Sequence, residues 1–139
     1  MGPDVDPARP LSTSGRAEVD LLAQTAAARG VKPAVIWHSG KLRARQTAEA
    51  FWRRCNPLAT FAAARGLQPT DPPTWIVDAV SAESKDIMLV GHFPHMPRLL
   101  AHLLSGRQDS APVPFPMNGM VVLEELNGRW VESWRMGGI

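Results

Sequence analysis

Apolar and polar positions along the chain alternate in blocks that predict short buried strands followed by helices. Residues 87–90 are four consecutive apolar residues, a pattern typical of a strand buried on both faces. Gly91 ends this run, and a polar loop begins at His92. Apolar residues at helical spacing then predict a helix over 96–104. In open α/β sheets ligands bind outside the carboxyl ends of the strands, so we expect His92 to face a site.

A similar unit lies earlier in the chain. Residues 34–37 predict a buried strand that ends at 38–40, and a helix follows from residue 41 or 42 to Cys55. Before it, apolar positions at i, i+3, i+4 and i+7 predict a helix over 15–29. Gly30 is placed where a left-handed residue ends a helix.

The middle of the chain is less clearly patterned. Residues 58–64 could form a short helix or an edge strand. Residues 66–73 are rich in proline, glycine and polar residues, which predicts a loop. Pro72 or Pro73 can occupy the first turn of a helix that continues to Val80.

The C-terminal part predicts a hairpin. Residues 119–126 are rich in valine and leucine, and Asn127-Gly128 is a strong hairpin turn signal. In the returning strand, simple alternation puts Trp130, Glu132 and Trp134 on one side.

Helices alternate with strands, and a hairpin closes the chain. This order predicts an α/β fold, a three-layer α/β/α sandwich with a mostly parallel sheet and an antiparallel C-terminal hairpin at its edge. The length of 139 residues predicts one domain, residues 1–139. Residues 1–12, with three prolines, are expected to form a surface loop, after which Ser12, Thr13 and Ser14 offer N-caps.

Composition narrows the classes of function. A formal net charge of +2, with no block of lysine or arginine, argues against a nucleic-acid partner. No apolar run approaches the roughly 18 residues of a membrane span, so we expect no membrane partner. Cys55 is the only cysteine, which excludes an internal disulfide and fits a reducing compartment, so a cytoplasmic location is expected. On the apolar stripe of its helix, Cys55 suits the core better than a nucleophile's role.

Two strand ends carry the candidate chemistry. Arg43 falls in the first turn of its predicted helix, where free N–H groups and the helix dipole favour an anion, and a guanidinium can bind phosphate oxygens there. The alternative is an exposed surface arginine. His92 could act as acid, base or phosphate ligand, or could simply cap a carbonyl group.

The other histidines are weaker candidates. His38 could contribute to the same site, but one residue of register decides whether it points in or out. His95 is expected to face solvent or the helix start, and His102 to lie in the middle of its helix, at the boundary between core and surface. A zinc site formed by His38, His92 and His95 is an alternative whose spacings match no standard short metal motif. The sequence also contains no P-loop, dinucleotide fingerprint or nucleophile elbow.

Several segments, in the same order, resemble motifs of the histidine phosphatase superfamily, specifically its SixA-type phosphohistidine phosphatases. Residues 39–49 are similar to the family's S-P-x-x-R-A-x-Q-T-A-E, with Gly40 in place of proline. Residues 89–94 are similar to L-V-G-H-x-P. Further similar segments are 6–16 (R-P-L-T-x-x-G), 67–71 (L-x-P-x-D) and 117–124 (T-G-x-x-x-L-E).

The resemblance implies a mechanism and a substrate class. In the family a histidine attacks the phosphoryl group and becomes phosphohistidine, which water hydrolyses, while two arginines and a second histidine hold the phosphoryl oxygens. By position, Arg43 resembles the second arginine and His92 the second histidine, and Ser39 opens the same motif as Arg43.

The implied catalytic residues are therefore His92 and Arg43, and the implied substrate-binding residues are Arg43, His92 and Ser39. The implied partner is a phosphohistidine-bearing protein or a small phosphoester, with no cofactor and no metal. The resemblance also implies a strand within 58–64 and a helix over 75–80.

One departure from the family is large. The family begins with a strand that ends in Arg-His-Gly and carries the nucleophile, but no Arg-His pair occurs in residues 1–139. The resemblance therefore implies a domain truncated at its N-terminus, whose nucleophile is missing and which is inactive as written. We expect Met1 to be a misplaced start. The alternatives are a catalytically dead relative that binds phosphate or phosphoprotein, and an inert fragment.

Overall fold

The computed structural model describes residues 8–107 and 110–137 of the chain. Within these ranges the elements follow in the order α1 (Thr13–Ala28), β1 (Val35–His38), α2 (Leu42–Cys55), β2 (Thr60–Ala63), α3 (Thr74–Ala82), β3 (Ile87–Val90), α4 (His95–Ser105), β4 (Met120–Leu126) and β5 (Arg129–Met136). The ambiguous segment 58–64 contains a strand, and the helix expected over 75–80 is α3. Residues 8–12 precede α1 without helix or strand, whereas the predicted loop at 1–7 lies outside the described residues.

Helix ends follow the local sequence signals. The Ser12 hydroxyl caps α1 by accepting a hydrogen bond from the Gly15 N–H at 3.0 Å. Gly30 follows that helix with φ +87°, and Gly106 ends α4 with φ +76°. Both are left-handed conformations that glycine adopts without steric cost.

The parallel strands form a sheet in the order β2-β1-β3. Its central strand, β1, is mostly buried, as expected for a strand with neighbours on both edges. All four residues of β3 are only partly buried. In the part of the chain that the structure describes, β3 has a hydrogen-bonded neighbour along one edge only, β1.

Helices cover both faces of this sheet, which confirms the three-layer sandwich. On one face, residues of α1 and α2, including Ala23 and Phe51, form a core cluster against which Met88 packs. On the other face, Ile76 of α3 and Leu99 of α4 form a cluster against which Leu89 packs. Successive residues of β3 thus face opposite helix layers, because side chains alternate along a strand.

The C-terminal hairpin is present, but it forms its own sheet. Strands β4 and β5 pair antiparallel through a turn at Asn127 (φ +54°) and Gly128 (φ +78°). Met136 packs against the α1/α2 cluster and Trp130 against the α3/α4 cluster, so the hairpin lies between the same two layers as β3. Among the described residues it is not hydrogen-bonded to β3. The expectation that it would be the edge of the parallel sheet is therefore corrected.

A β-bulge overturns the predicted faces of the returning strand. Val122 pairs with Trp134 but Leu123 pairs with Glu132, which leaves Ser133 as an extra residue. The extra residue reverses the alternation, so Trp130 and Trp134 face opposite layers. The Trp134 ring lies beneath the guanidinium of Arg29, at the end of α1, with 3.7 Å between the Arg29 Cζ and the ring centroid.

In the described ranges, no helix has the length and apolar character needed to cross a membrane.

Candidate functional site

The carboxyl ends of β1 and β3 bring two polar side chains into contact. His38, the last residue of β1, pairs with Val90, the last residue of β3, so the loops that follow leave the sheet at the same edge. There the Ser39 hydroxyl and Nε2 of His92 share a hydrogen bond of 2.6 Å. Two residues 53 positions apart in sequence are thus joined because adjacent parallel strands end together.

Ser39 is held from several sides. Its side chain is buried (6% exposed), and its hydroxyl oxygen also accepts a long hydrogen bond from the Lys41 N–H at 3.3 Å. Its carbonyl oxygen accepts a hydrogen bond from Nε2 of Gln68 at 2.5 Å. The sequence did not single out Gln68. It lies in the loop that resembles L-x-P-x-D, but that motif does not indicate which side chain reaches Ser39.

The chain is closely packed where His92 leaves β3. A Cβ atom added to Gly91 would lie 3.3 Å from the Leu67 carbonyl oxygen and 3.0 Å from Sδ of Met96. The His92 carbonyl accepts a hydrogen bond from the Met96 N–H at 2.9 Å, and this bond leads into α4. The small residue at 91 thus lets the loop at Leu67 approach the strand end, and His92 is fixed between the strand and the helix.

Arg43 lies where the sequence predicted it, in the first turn of α2, four residues after Ser39. That turn contains no acidic residue. The N–H groups of a first turn have no partner within the helix, so they and the positive end of the helix dipole add to the charge of the guanidinium. A hydroxyl, an imidazole, a guanidinium and a helix N-terminus at one sheet edge are groups that suit a tetrahedral oxyanion.

His38 has a structural role and does not join Ser39 and His92 as a site residue. Its buried ring packs on Phe61 with a centroid distance of 5.0 Å, and its Nδ1 accepts a hydrogen bond from the Gly40 N–H at 3.0 Å. Burial lowers the pKa of His38, and the positive charge of Arg45 lowers it further. A neutral ring that accepts this bond stabilises the turn after β1.

The sequence predicted that His95 would either lie at the helix start or face solvent. It lies at the helix start, and the prediction that it faces solvent is wrong. It is the first residue of α4 and is completely buried. Neither ring nitrogen has a hydrogen-bond partner among the described residues. Burial lowers the pKa of His95, and Arg98 lowers it further, whereas Asp71 acts in the opposite direction. His102 is half-buried on the same helix, as expected.

The remaining sequence candidates do not form a site. Cys55 is half-buried, its Sγ lies 3.9 Å from the Ala23 carbonyl oxygen, and burial raises the pKa of its thiol, which suits a core position. Over residues 8–107 and 110–137, no group of three or more histidine, cysteine or acidic residues could hold a metal ion.

The fold resembles solved structures of phosphohistidine phosphatases. A protein assigned as SixA from Agrobacterium tumefaciens is 25% identical, with a TM-score of 0.78 over 95% of this chain and 85% of that chain. The protein histidine phosphatase SixA complexed with tungstate is 24% identical, with a TM-score of 0.81 over 95% and 86% of the two chains. A protein assigned as SixA from Nakamurella multipartitia is 19% identical, with a TM-score of 0.73 over 96% and 87%.

The sequence itself matches no family model and no curated protein. The structural likeness nevertheless extends over nearly all of this chain. This chain has a parallel sheet, helices on both of its faces and a C-terminal hairpin, in the order in which the sequence predicted them. The chain therefore has the fold of the SixA-type phosphohistidine phosphatases in the histidine phosphatase superfamily.

Proposed function

We propose that this chain carries the phosphoryl-binding half of a phosphohistidine phosphatase site. The observation that carries the proposal is the contact between Ser39 and His92 at the ends of adjacent strands, next to the helix that begins with Arg43. Tungstate, which one structural relative binds, is a tetrahedral oxyanion like phosphate. Groups that suit one such anion suit the other.

Each residue has a distinct role in this proposal. Arg43 neutralises the charge on the phosphoryl oxygens and binds two of them through its planar fork of N–H donors. His92 donates to a third oxygen, and Ser39 keeps the His92 ring oriented through the 2.6 Å hydrogen bond. Phosphoryl transfer depends mainly on positioning and charge neutralisation, which is what these groups supply.

The attacking residue is proposed to come from an added strand rather than from residues 1–139. The chain has four histidines. The side chains of His38 and His95 are buried in the protein interior, which does not suit an attacking group. His102 lies in α4 beyond its first turn. His92 already serves the phosphoryl oxygens in this proposal. Among the described residues β3 has no strand along its far edge, next to His92, and a further parallel strand there would end at the site.

A second candidate is a relative that binds phosphoprotein without turnover, and the absence of an Arg-His pair from the sequence favours it. Both candidates share a phosphohistidine-bearing protein or a small phosphoester as partner. A cytoplasmic location and the lack of a cofactor remain part of the proposal, supported by the single cysteine and by a transfer chemistry that needs no metal.

The experiment compares two forms of the protein. One is residues 1–139, and the other is the same chain extended at its N-terminus by an apolar strand that ends in Arg-His-Gly. Both are assayed for phosphate release from a phosphohistidine-bearing protein, and both are tested for an acid-labile phosphoenzyme. We expect both forms to bind phosphate but only the extended form to turn over. A control extension with Arg-Asn-Gly should bind phosphate and remain inactive.

Each candidate predicts a different result. Equal turnover by both forms would place the attacking residue within 1–139 and contradict the added-strand proposal. Binding by both forms with turnover by neither would favour the phosphoprotein-binding relative. If neither form bound phosphate, the role given to Ser39, Arg43 and His92 would be wrong.

A further inference from the structure

A cavity is lined by Ser39, the hydrogen-bond partner of His92. It has a volume of about 420 Å³, within the usual range for ligand pockets, and opens between the ends of β1 and β2 and the loop before α3. Ser39 lines it, so the cavity adjoins the place proposed for the phosphoryl group. Arg43 and His92 do not line the cavity, so their proposed contacts with the phosphoryl oxygens leave it free for another part of a substrate.

One wall of the cavity is flat and aromatic. The guanidinium of Arg65 stacks over the ring of Trp75 at 4.1 Å, and Trp75 is 44% exposed although it is a large apolar residue. Gly66, next to Arg65 in sequence, has φ +100° and packs closely on the start of α3: an added Cβ would lie 3.0 Å from both the Trp75 Cβ and the Ile76 nitrogen. This close packing fixes the backbone at Arg65 next to Trp75, and an exposed indole ring can pack against another planar ring.

An acidic group lines the same cavity and is connected to the phosphoryl site. Oδ2 of Asp71 accepts a hydrogen bond from the Gln68 N–H at 3.0 Å, and the Asp71 N–H donates to the Gln68 carbonyl at 3.1 Å. The Gln68 side chain in turn donates to the Ser39 carbonyl at 2.5 Å. This chain of bonds fixes the carboxylate relative to Ser39, and a carboxylate that uses one oxygen in this way can accept a further N–H with the other.

We propose that this cavity binds the imidazole ring of the phosphorylated histidine, the leaving group of the reaction. The inference rests on the proposed function, because it places the ring next to a phosphoryl group held by Arg43 and His92. The ring packs against the Arg65–Trp75 wall. Its nitrogen that is not bonded to phosphorus, when protonated, donates a hydrogen bond to Asp71. Such a pocket would favour phosphohistidine over phosphoesters of aliphatic alcohols, which have neither the ring nor the N–H.

The test measures equilibrium binding to residues 1–139 by calorimetry, with probes that are not hydrolysed. The probes are inorganic phosphate, methylphosphonate, phenylphosphonate and imidazol-4-ylphosphonate, which add in turn a carbon substituent, a ring and a ring N–H. We expect imidazol-4-ylphosphonate to bind about tenfold more tightly than phenylphosphonate, as for a hydrogen bond to a charged group, and methylphosphonate to bind most weakly.

Variants separate the ring pocket from the phosphoryl site. Asp71→Asn keeps an oxygen that can accept from the Gln68 N–H, so the loop should persist while the advantage of the ring N–H is lost. Trp75→Leu should weaken phenylphosphonate and imidazol-4-ylphosphonate but leave inorganic phosphate unchanged. The matched control is Asp78→Asn, an exposed position one turn further along α3, which should alter the affinity of none of the probes.

Failure of this inference differs from failure of the proposed function. If imidazol-4-ylphosphonate bound no more tightly than methylphosphonate while phosphate still bound, the cavity would not be a leaving-group pocket. An unchanged preference in both Asp71→Asn and Trp75→Leu would overturn the assignment as well. If no probe bound, inorganic phosphate included, the phosphoryl site itself would be contradicted and the pocket with it.

Discussion

Replacing His95 by leucine should make the protein more stable and less sensitive to acid. The wild-type imidazole is completely buried, and neither nitrogen has a hydrogen-bond partner within the described ranges. A buried polar group left unsatisfied costs about 1–3 kcal/mol, and an imperfect fit of leucine in the same space costs up to about 1.5 kcal/mol. The expected net gain for His95→Leu at neutral pH is therefore about 1 kcal/mol, or roughly 3 °C in the unfolding midpoint.

The acid dependence follows from the direction of the pKa shift. Burial lowers the pKa of His95 in the folded state below its ordinary value of 6.5. Between the two values the unfolded chain binds more protons, so the free energy of unfolding falls as the pH drops below about 6.5. Each pH unit in that interval removes up to about 1.4 kcal/mol through this group. Burial lowers the pKa of His38 as well, so part of the acid slope should remain in His95→Leu.

The assay is denaturant unfolding of the wild type, His95→Leu and His102→Leu at several pH values between 5 and 8. His102 lies on the same helix and is half-buried, and its replacement leaves His95 in place, so the part of the acid slope that comes from His95 should persist in this control. The reasoning would be refuted if His95→Leu were less stable than the wild type at every pH and kept the same slope. That result would mean that the buried imidazole contributes packing or bonding that leucine cannot replace.

Two further substitutions test the neighbourhood of the site. Arg43→Ala should weaken inorganic phosphate binding roughly ten- to hundredfold, because it removes charge-assisted hydrogen bonds, whereas Arg45→Ala, on the same helix in an exposed ion pair, should leave it unchanged by calorimetry. Equal losses in the two variants would indicate a general charge effect. Gly91→Ala should lower the free energy of unfolding by about 1–3 kcal/mol, because its Cβ would lie 3.0 Å from Met96 Sδ and 3.3 Å from the Leu67 carbonyl oxygen. Wild-type stability on denaturant unfolding would show that the loop yields without cost.

The parts of the fold that depend on local sequence were predictable. Strand β3 and the helix after it follow from four apolar residues, a glycine and helical spacing, and the structure has Ile87–Val90 and His95–Ser105. The sequence also predicted polar groups at two strand ends, and parallel strand ends meet at one edge, but it did not predict the hydrogen bond between Ser39 and His92.

The parts that depend on packing between distant segments were not predictable. The burial of His95 depends on how α4 docks, which the residue's own neighbours in sequence do not reveal. The bulge at Ser133 reverses the faces of Trp130 and Trp134, and no local residue pattern marks it. Gln68 reaches Ser39 only because its loop folds back over the ends of the strands.

The central claim is that Ser39, Arg43 and His92 together bind a phosphoryl group, and a titration of residues 1–139 with inorganic phosphate tests it most directly. The measurement is the ¹H–¹⁵N correlation spectrum of the histidine rings, with each signal assigned by substitution. We predict saturable shifts at His92 and smaller changes at His38 and His95, whose rings are buried. An unmoved His92 signal at saturating phosphate, or a larger shift at His38 than at His92, would contradict the account.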